Sequence, residues 1–223
     1  MAWLVRKSLA EEDSPHVHWT ADELQAILQS NAEVVDRFSD LMPGHPNYLK
    51  KGDAPAGLPI RYPDRPRQAF INELKGPLPD ALTLTIVNDR IKLAVEAIEP
   101  AVHQFIPTTV TIPNGERDSS WWSMRPCHRI DSLAFEHCED VYKYYPQPEV
   151  YPDLYYYRSN EGRIMKLAAR KSLVAGMAMW HDWRFSADFF CEELGQYFLD
   201  NEIRGYRLQP DQDLLRSNHI AEV

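Results

Sequence analysis

The sequence predicts an α+β fold in which mixed or antiparallel strands combine with about three main helices, one of them in an N-terminal helical extension. Three observations favour this class. A capped run of apolar residues at helical spacing lies near the N-terminus, a strand–helix unit lies mid-chain, and a strand–helix–strand unit lies near the C-terminus. With 223 residues, 44% of them hydrophobic, the chain can bury a sizeable core.

The C-terminal unit runs from residue 165 to residue 210. Met177 and Met179 alternate with smaller residues, which is the period of a half-buried strand. Asp188 is then placed to cap a helix whose first turns carry two glutamates, a charge that suits the helix N-terminus. A short last strand is expected at Tyr206–Leu208. The helix presents one apolar stripe, formed by Cys191, Leu194 and Phe198 and widened by Tyr197.

The first 77 residues predict an N-terminal helix and a proline-rich segment that wraps over the core, ahead of an α+β domain at 78–223; we expect one compact unit. An edge-type strand is expected at Trp3–Val5. Thr20 and Glu23 match a capping box, and apolar residues at helical spacing predict a helix from 21 to about 41. The proline-rich run after it is expected to be extended, with a short helix around Gln68–Leu74. An interdomain linker is the alternative for this run.

The middle of the chain predicts one further helix among several strands. Leu82, Leu84 and Ile86 alternate as a strand. Asn88 or Asp89 then caps a short helix that ends at the proline at position 100. Further strands are expected at His103–Pro107, Thr109–Ile112 and Trp121–Met124, and a hairpin is expected between Leu154–Arg158 and Ile164–Leu167.

Composition restricts the classes of partner. The formal net charge of −9 argues against nucleic acid and anionic membranes, which require a basic surface. Three cysteines without framework spacing favour a reducing compartment. No apolar run approaches the ~18 residues that span a bilayer. We therefore expect no nucleic-acid partner, no membrane partner and a cytoplasmic location.

The sequence contains no motif of the common catalytic classes: GxGxxG, GxxxxGK[ST], GxSxG and HExxH are all missing. The best metal candidate joins Cys127 and His128 to His137 and Cys138, since zinc takes thiolate and imidazole ligands. Adjacent residues, however, point apart on a strand and about 100° apart on a helix. We therefore predict no catalytic residues, no cofactor and no metal site. A metal-dependent hydrolase is the alternative, and it would use Cys127, His128, His137 and His181.

Aromatic residues are concentrated between positions 121 and 157. Tyr and Trp offer large contact areas at low entropic cost and are enriched at binding hot spots. Either most of these rings belong to the core or some of them form a binding surface. For partner contacts we predict five of them: Trp121, Trp122, Tyr151, Tyr155 and Tyr156.

Three segments carry a family resemblance: LTIVNDRIKLAVEAIEPAVHQFIP, WWSMRPCHRIDSLAFE and AARKSLVAGMAMWHDWRFSADFFCEELGQYFLDNEIRGYRLQP. Together they resemble the immunity protein 11 family of bacterial polymorphic-toxin systems, over residues 78–210. That family has a basic-apolar turn, a strand with Gly and Trp, an acidic-starting helix and a Gly-aromatic strand. The matching positions are Asp131, Trp180, Trp183, Leu194, Gly205 and Tyr206. Few glycines, and Cys191-Glu192 where the family has Ser-Asp, indicate a divergent member.

The resemblance implies a protein that binds a cognate secreted toxin or effector and neutralises it by stoichiometric protein–protein inhibition. The toxin would be encoded by a neighbouring gene, delivered by a contact-dependent or type VI secretion route, and blocked in the cytoplasm of the producing cell. The resemblance implies no enzymatic activity. An adaptor subunit of a secretion system is a further alternative.

Overall fold

The computed structural model describes residues 2–7, 15–20, 65–145, 149, 155–159, 166–185, 187–208 and 219–222. Over these residues the fold is α+β, as the sequence predicts. Three α-helices are described: α1 (Asp89–Ile98), α2 (Lys171–Val174) and α3 (Glu192–Asp200). A 3-10 turn covers Phe135–His137. The helix expected from 21 to 41 lies outside the described residues.

The strands of the described residues are numbered in chain order. They are β1 (Ala2–Leu4), β2 (Arg6–Lys7), β3 (Val17–Trp19), β4 (Arg67–Ile71), β5 (Ile86–Asn88), β6 (Gln104–Thr111), β7 (Arg117–Arg125), β8 (Arg129–Ile130), β9 (Val141–Tyr144), β10 (Tyr156–Ser159), β11 (Ala168–Ala169), β12 (Met179–Asp182), β13 (Ala187–Cys191), β14 (Tyr206–Arg207) and β15 (His219–Glu222).

The first sheet has six strands in the order β11-β15-β1-β13-β12-β8. Strand β1 lies inside it and pairs antiparallel with both β13 and β15. All three residues of β1 are buried, which suits a continuous apolar run covered on both faces. The expectation of an edge strand at Trp3–Val5 is therefore wrong, because β1 has a neighbour on each side.

The second sheet has five strands in the order β3-β4-β6-β7-β5. Strands β6 and β7 form an antiparallel hairpin. The turn between them contains Gly115, whose φ of 86° favours glycine. Strand β4 occupies the place of the helix expected at Gln68–Leu74, so that expectation is wrong. Buried and exposed residues alternate along β4, which is the period of a strand. Two-stranded sheets pair β9 with β10 and β2 with β14.

The central core lies between helices α1 and α3 and the two large sheets. Helix α1 contacts α3, and the apolar stripe of each helix faces the strands. The larger members of this core are Trp3, Ile91, Met124, Met179, Phe190, Leu194, Phe198 and Tyr206. A second cluster fills the space around β9, β10 and β12, and a third packs against β4, β5 and β6.

The two longer helices are capped differently. Asn88, one of the two predicted candidates, is the N-cap of α1, and its side chain accepts a hydrogen bond from the N–H of Ile91 at 3.3 Å. The predicted cap of α3 is wrong. Asp188 lies within β13, because pairing with β1 keeps the chain extended as far as Cys191. The Cys191 Sγ atom instead accepts a hydrogen bond from the N–H of Leu194 at 3.4 Å.

Two further expectations for the middle of the chain need correction. The hairpin partner of β10 is β9, with Tyr156 opposite Tyr144. Lys166 bridges Glu139 instead of returning along β10. The strand expected over Leu82, Leu84 and Ile86 is displaced toward the C-terminus: it covers Ile86–Asn88, and residues 82–85 form bends.

Candidate functional site

The β9–β10 hairpin carries a face of tyrosines. The register places Tyr144 opposite Tyr156 and Tyr142 opposite Arg158. Side chains alternate between the two sides of a strand, so these four residues share one face. We call it the tyrosine face. Tyr142 is 40% exposed and Tyr144 is 36% exposed, and the following residue, Tyr145, is also exposed. This face offers aromatic area to solvent.

The charged member of the tyrosine face is stacked on its neighbour. The guanidinium carbon of Arg158 lies 4.1 Å from the centroid of the Tyr144 ring. A planar cation over an aromatic ring is favourable and restricts both side chains. Burial raises the pKa of the Tyr156 hydroxyl above its ordinary value. Tyr156 therefore presents a neutral hydroxyl that can form hydrogen bonds.

The opposite face of the hairpin is buried against the second cluster. Val141, Tyr155 and Tyr157 are buried there. The Lys143 ammonium lies 4.5 Å from the centroid of the Tyr155 ring and 5.0 Å from that of Phe135. The buried face of the hairpin therefore packs against the core, and the tyrosine face lies on the other side of the same two strands.

Arg184 fixes the hairpin to the six-stranded sheet. Its Nε atom donates to Asp131 Oδ2 at 2.9 Å, and its Nη1 atom donates to the Tyr155 carbonyl at 2.7 Å. The backbone N–H of Tyr157 in turn donates to the Arg184 carbonyl at 2.9 Å. Asp131, which the family resemblance singles out, thus orients the arginine that holds β10.

The predicted contact residues fall into two separate sheets. Trp121 and Trp122 lie on β7 of the five-stranded sheet, whereas Tyr155 and Tyr156 belong to the hairpin segment. Trp121 is 3% exposed and Tyr155 is 5% exposed, so both offer little area to a partner. Tyr151 lies outside the described residues.

The half-buried Trp122 has local partners. Its Nε1 atom donates to Asp89 Oδ1 at 2.7 Å, and the Lys92 ammonium lies 4.6 Å from its ring centroid. The sequence indicated aromatic enrichment but not which rings face solvent. The signal that identifies Tyr142 and Tyr144 is their alternation with Val141 and Lys143.

Over the described residues, the side chains of the alternative hydrolase set do not converge on one site, although the backbone N–H of His181 donates to the His128 carbonyl at 2.8 Å. His181 Nδ1 lies 2.8 Å from Asp188 Oδ1, and His137 is exposed in the 3-10 turn. Cys127 is buried, and its Sγ atom lies 3.7 Å from the Arg125 carbonyl. His128 belongs to a different group, which sequence inspection missed.

That group is centred on Glu99. Its carboxylate lies 2.9 Å from His103 Nε2 and 2.5 Å from His128 Nε2, and it accepts the N–H of Ala178 at 2.8 Å. Burial alone would raise the pKa of Glu99. Hydrogen bonds from His128 and Ala178 hold that pKa below its ordinary value instead. Glu99 is therefore an ionised acceptor.

The Glu99 group connects the two large sheets. Glu99 follows α1, and His103 directly precedes β6 of the five-stranded sheet. His128 directly precedes β8, and Ala178 directly precedes β12, both in the six-stranded sheet. We call this group the Glu99 clamp. The Glu–His spacing of four residues was visible in the sequence, but the proline at position 100 interrupts the helix between them.

The Glu99 clamp has the residue types of a metal site. Over the described part of the chain, these are the three residues whose potential ligand atoms converge, within 4.8 Å of one another. His103 Nδ1, however, accepts the N–H of Cys127 at 3.2 Å. A neutral imidazole has one acceptor nitrogen, so the proton lies on Nε2 and points at Glu99. That tautomer suits a hydrogen-bonded clamp better than a metal ligand.

The fold and these sites define an α+β protein with an exposed aromatic face on a hairpin that packs against the second core cluster. The chain belongs to the Imm11 immunity protein family, whose model matches residues 10–210. The match extends beyond the 78–210 expected from the sequence. No match was found among curated proteins. Of the helices that the structure describes, none has the length and apolar character needed to cross a membrane.

Proposed function

We propose that this protein is an immunity protein that binds a cognate secreted bacterial toxin or effector and neutralises it by stoichiometric protein–protein inhibition. The observation that carries the proposal is the family match over residues 10–210. The toxin is encoded by a neighbouring gene of a polymorphic-toxin or type VI secretion locus, and inhibition takes place in the cytoplasm of the producing cell. The protein acts by binding and does not turn over a substrate.

The tyrosine face supports this proposal, because exposed tyrosines supply large, rigid contact area. Tyr142 and Tyr144 add to the contact residues proposed from the sequence. Among those, Trp122 and Tyr156 keep accessible surface, so we assign them direct contacts, together with Tyr151. Trp121 and Tyr155 are buried and support their neighbours.

The expected complex has a standard-size interface of about 1,600 Å² in total. The net charge of −9 favours a basic toxin, since opposite charges accelerate association. The rate of association should therefore fall as salt is added, while the dissociation rate changes less.

A growth assay tests the proposal. The neighbouring gene product is expressed alone, with this chain, or with a frameshifted copy of this chain as control. We expect toxicity that only the intact chain relieves, and co-purification of the two proteins in a fixed ratio. Toxicity that persists with soluble chain present would contradict immunity. Binding to several components of a secretion apparatus, without rescue, would identify an adaptor instead.

The amount of chain needed for protection distinguishes stoichiometric inhibition from enzymatic inactivation of the toxin. If the chain binds its toxin stoichiometrically, residual toxin activity in a purified assay falls linearly to zero near one equivalent. If the chain were a hydrolase, a small fraction of one equivalent would inactivate all the toxin over time. The variant His137→Ala provides a check, because it removes an exposed member of the alternative hydrolase set without touching the tyrosine face or the Glu99 clamp.

A further inference from the structure

Strand β9 lies at the edge of a two-stranded sheet, in which β10 is its described neighbour. An edge strand presents unpaired backbone N–H and C=O groups, which can pair with a strand of another chain. Which residues of β9 present these groups follows from the hydrogen bonds of β10.

The backbone of Tyr157 fixes the pairing pattern. Its N–H donates to the Arg184 carbonyl, away from β9. Tyr157 lies opposite Lys143, so this is a non-hydrogen-bonded pair of the antiparallel ladder. The N–H and C=O of Lys143 therefore also point away from β10, toward the open edge. Among the described residues, the backbone hydrogen bonds formed outside the strand ladders include neither of these groups.

The side chain of Lys143 does not block this edge. A lysine on an edge strand often prevents strand addition by projecting its charge outward. Here the ammonium lies over the rings of Phe135 and Tyr155 on the buried face. Tyr142 and Tyr144 flank Lys143 in β9, and their exposed rings lie on the opposite face of the hairpin from the Lys143 side chain.

We propose that β9 is a docking edge that takes up one extended segment of the toxin as an added β-strand. The backbone groups of Lys143 pair with that segment, and Tyr142 and Tyr144 contact its alternate side chains. Main-chain hydrogen bonds supply affinity in this mode and side-chain contacts supply specificity. The occupant is an exposed edge strand or an extended loop of the toxin. This inference rests on the proposed function.

Hydrogen exchange on the unmodified chain is the primary test. The amide of Lys143 is expected to exchange quickly in the free protein and to be protected at least tenfold when the toxin is bound. The amide of Tyr157, already bonded to Arg184, is the internal control and should change little. Unchanged exchange at Lys143 in a complex that does form would overturn the docking edge.

Substitution supplies the second test. Lys143→Pro removes the outward N–H, and proline is tolerated where that position of an edge strand faces solvent. The matched variant Lys143→Ala removes the side chain and keeps the N–H. We expect Lys143→Pro to weaken toxin binding about tenfold or more, from the loss of one buried hydrogen bond. Lys143→Ala should remain within about threefold of the unmodified chain, since the Lys143 side chain lies on the buried face of the hairpin, away from the docking edge.

The outcomes separate this inference from the function on which it rests. Equal affinities for Lys143→Pro and Lys143→Ala, with both variants folded by circular dichroism, would overturn the docking edge and leave immunity standing. Absence of any complex between the unmodified chain and the toxin would overturn the proposed function itself. If Lys143→Pro fails to fold, the exchange measurement on the unmodified chain decides.

Discussion

Glu99 and His128 are 29 residues apart in sequence, yet Oε1 of the glutamate lies 2.5 Å from Nε2 of the histidine. The contact joins the end of α1 to the segment that enters the six-stranded sheet. Together with His103 and Ala178, it makes one carboxylate a shared acceptor for both large sheets. The relative position of the sheets should depend on this group.

Glu99→Gln is expected to lower the free energy of unfolding by about 2 kcal/mol, because the amide turns an NH₂ group toward a donor that the carboxylate accepted. Urea denaturation at pH 7 measures this. Glu96→Gln is the matched control, since Glu96 is half-buried and its ion pair with Lys92 lies within the same helix, so the substitution should cost less than about 1 kcal/mol. Equal effects of the two substitutions would contradict the prediction that the Glu99 clamp contributes more stability than an ion pair within one helix.

The same carboxylate predicts a pH dependence. Its pKa in the folded protein lies below the ordinary value of 4.5. The stability that Glu99 contributes is therefore complete above the unfolded pKa and is lost as pH falls through the folded pKa. Urea midpoints of the unmodified chain and of Glu99→Gln, measured from pH 7 to pH 3, should differ most at pH 7. The difference should shrink below about pH 4.5. A difference that is constant with pH would contradict this.

Tyr144→Ala should weaken toxin binding about tenfold or more, as expected for a central aromatic contact. Tyr197→Ala is the control: Tyr197 is 37% exposed on α3, comparable with Tyr144 at 36%, but lies away from the hairpin. Isothermal titration with purified toxin measures both affinities. If the two substitutions have the same effect, the tyrosine face is not the interface.

Local signals predicted part of this fold from the sequence. Helix α1 was predicted with its cap because Asn88 and the apolar spacing of Ile91 and Val95 lie within one short segment. The strand containing Trp121 was also predicted from local alternation. In these segments, the conformational preferences of residues close in sequence favour the same backbone conformation as the tertiary contacts do.

Features that depend on distant partners were missed. The segment Ala187–Cys191 was interpreted as a helix start because Asp188 precedes two glutamates, but pairing with β1, far away in sequence, extends it as a strand. The Glu99 clamp needs residues from four segments, so the spacing of Glu99 and His103 alone could not indicate it. The sequence shows the enrichment in tyrosine. The face of the hairpin on which each ring lies depends on the register between β9 and β10, which the sequence does not show.

The contact between Trp3 and Gly195 bears on the domain organisation. We propose that residues 1–77 and 78–223 form one compact unit, since Trp3 belongs to the same core cluster as Leu194 and Phe198. Gly195 lies in the middle of α3, where alanine would normally raise helix stability by about 1 kcal/mol. Here a Cβ atom would overlap the indole of Trp3. The glycine allows the helix to lie directly on β1.

Gly195→Ala should therefore destabilise the protein, because overpacking of about 1–3 kcal/mol exceeds the gain in helix propensity. Urea denaturation measures the change, with Gln196→Ala on the exposed side of the same helix as control, where the change should stay within about 0.5 kcal/mol. Trp3→Leu should lose stability alone but lessen the cost of Gly195→Ala when the two are combined. Additive effects would mean that the indole is not what the new methyl group meets. Coupling between the two sites would tie the N-terminal strand to the C-terminal helix in a single cooperative unit.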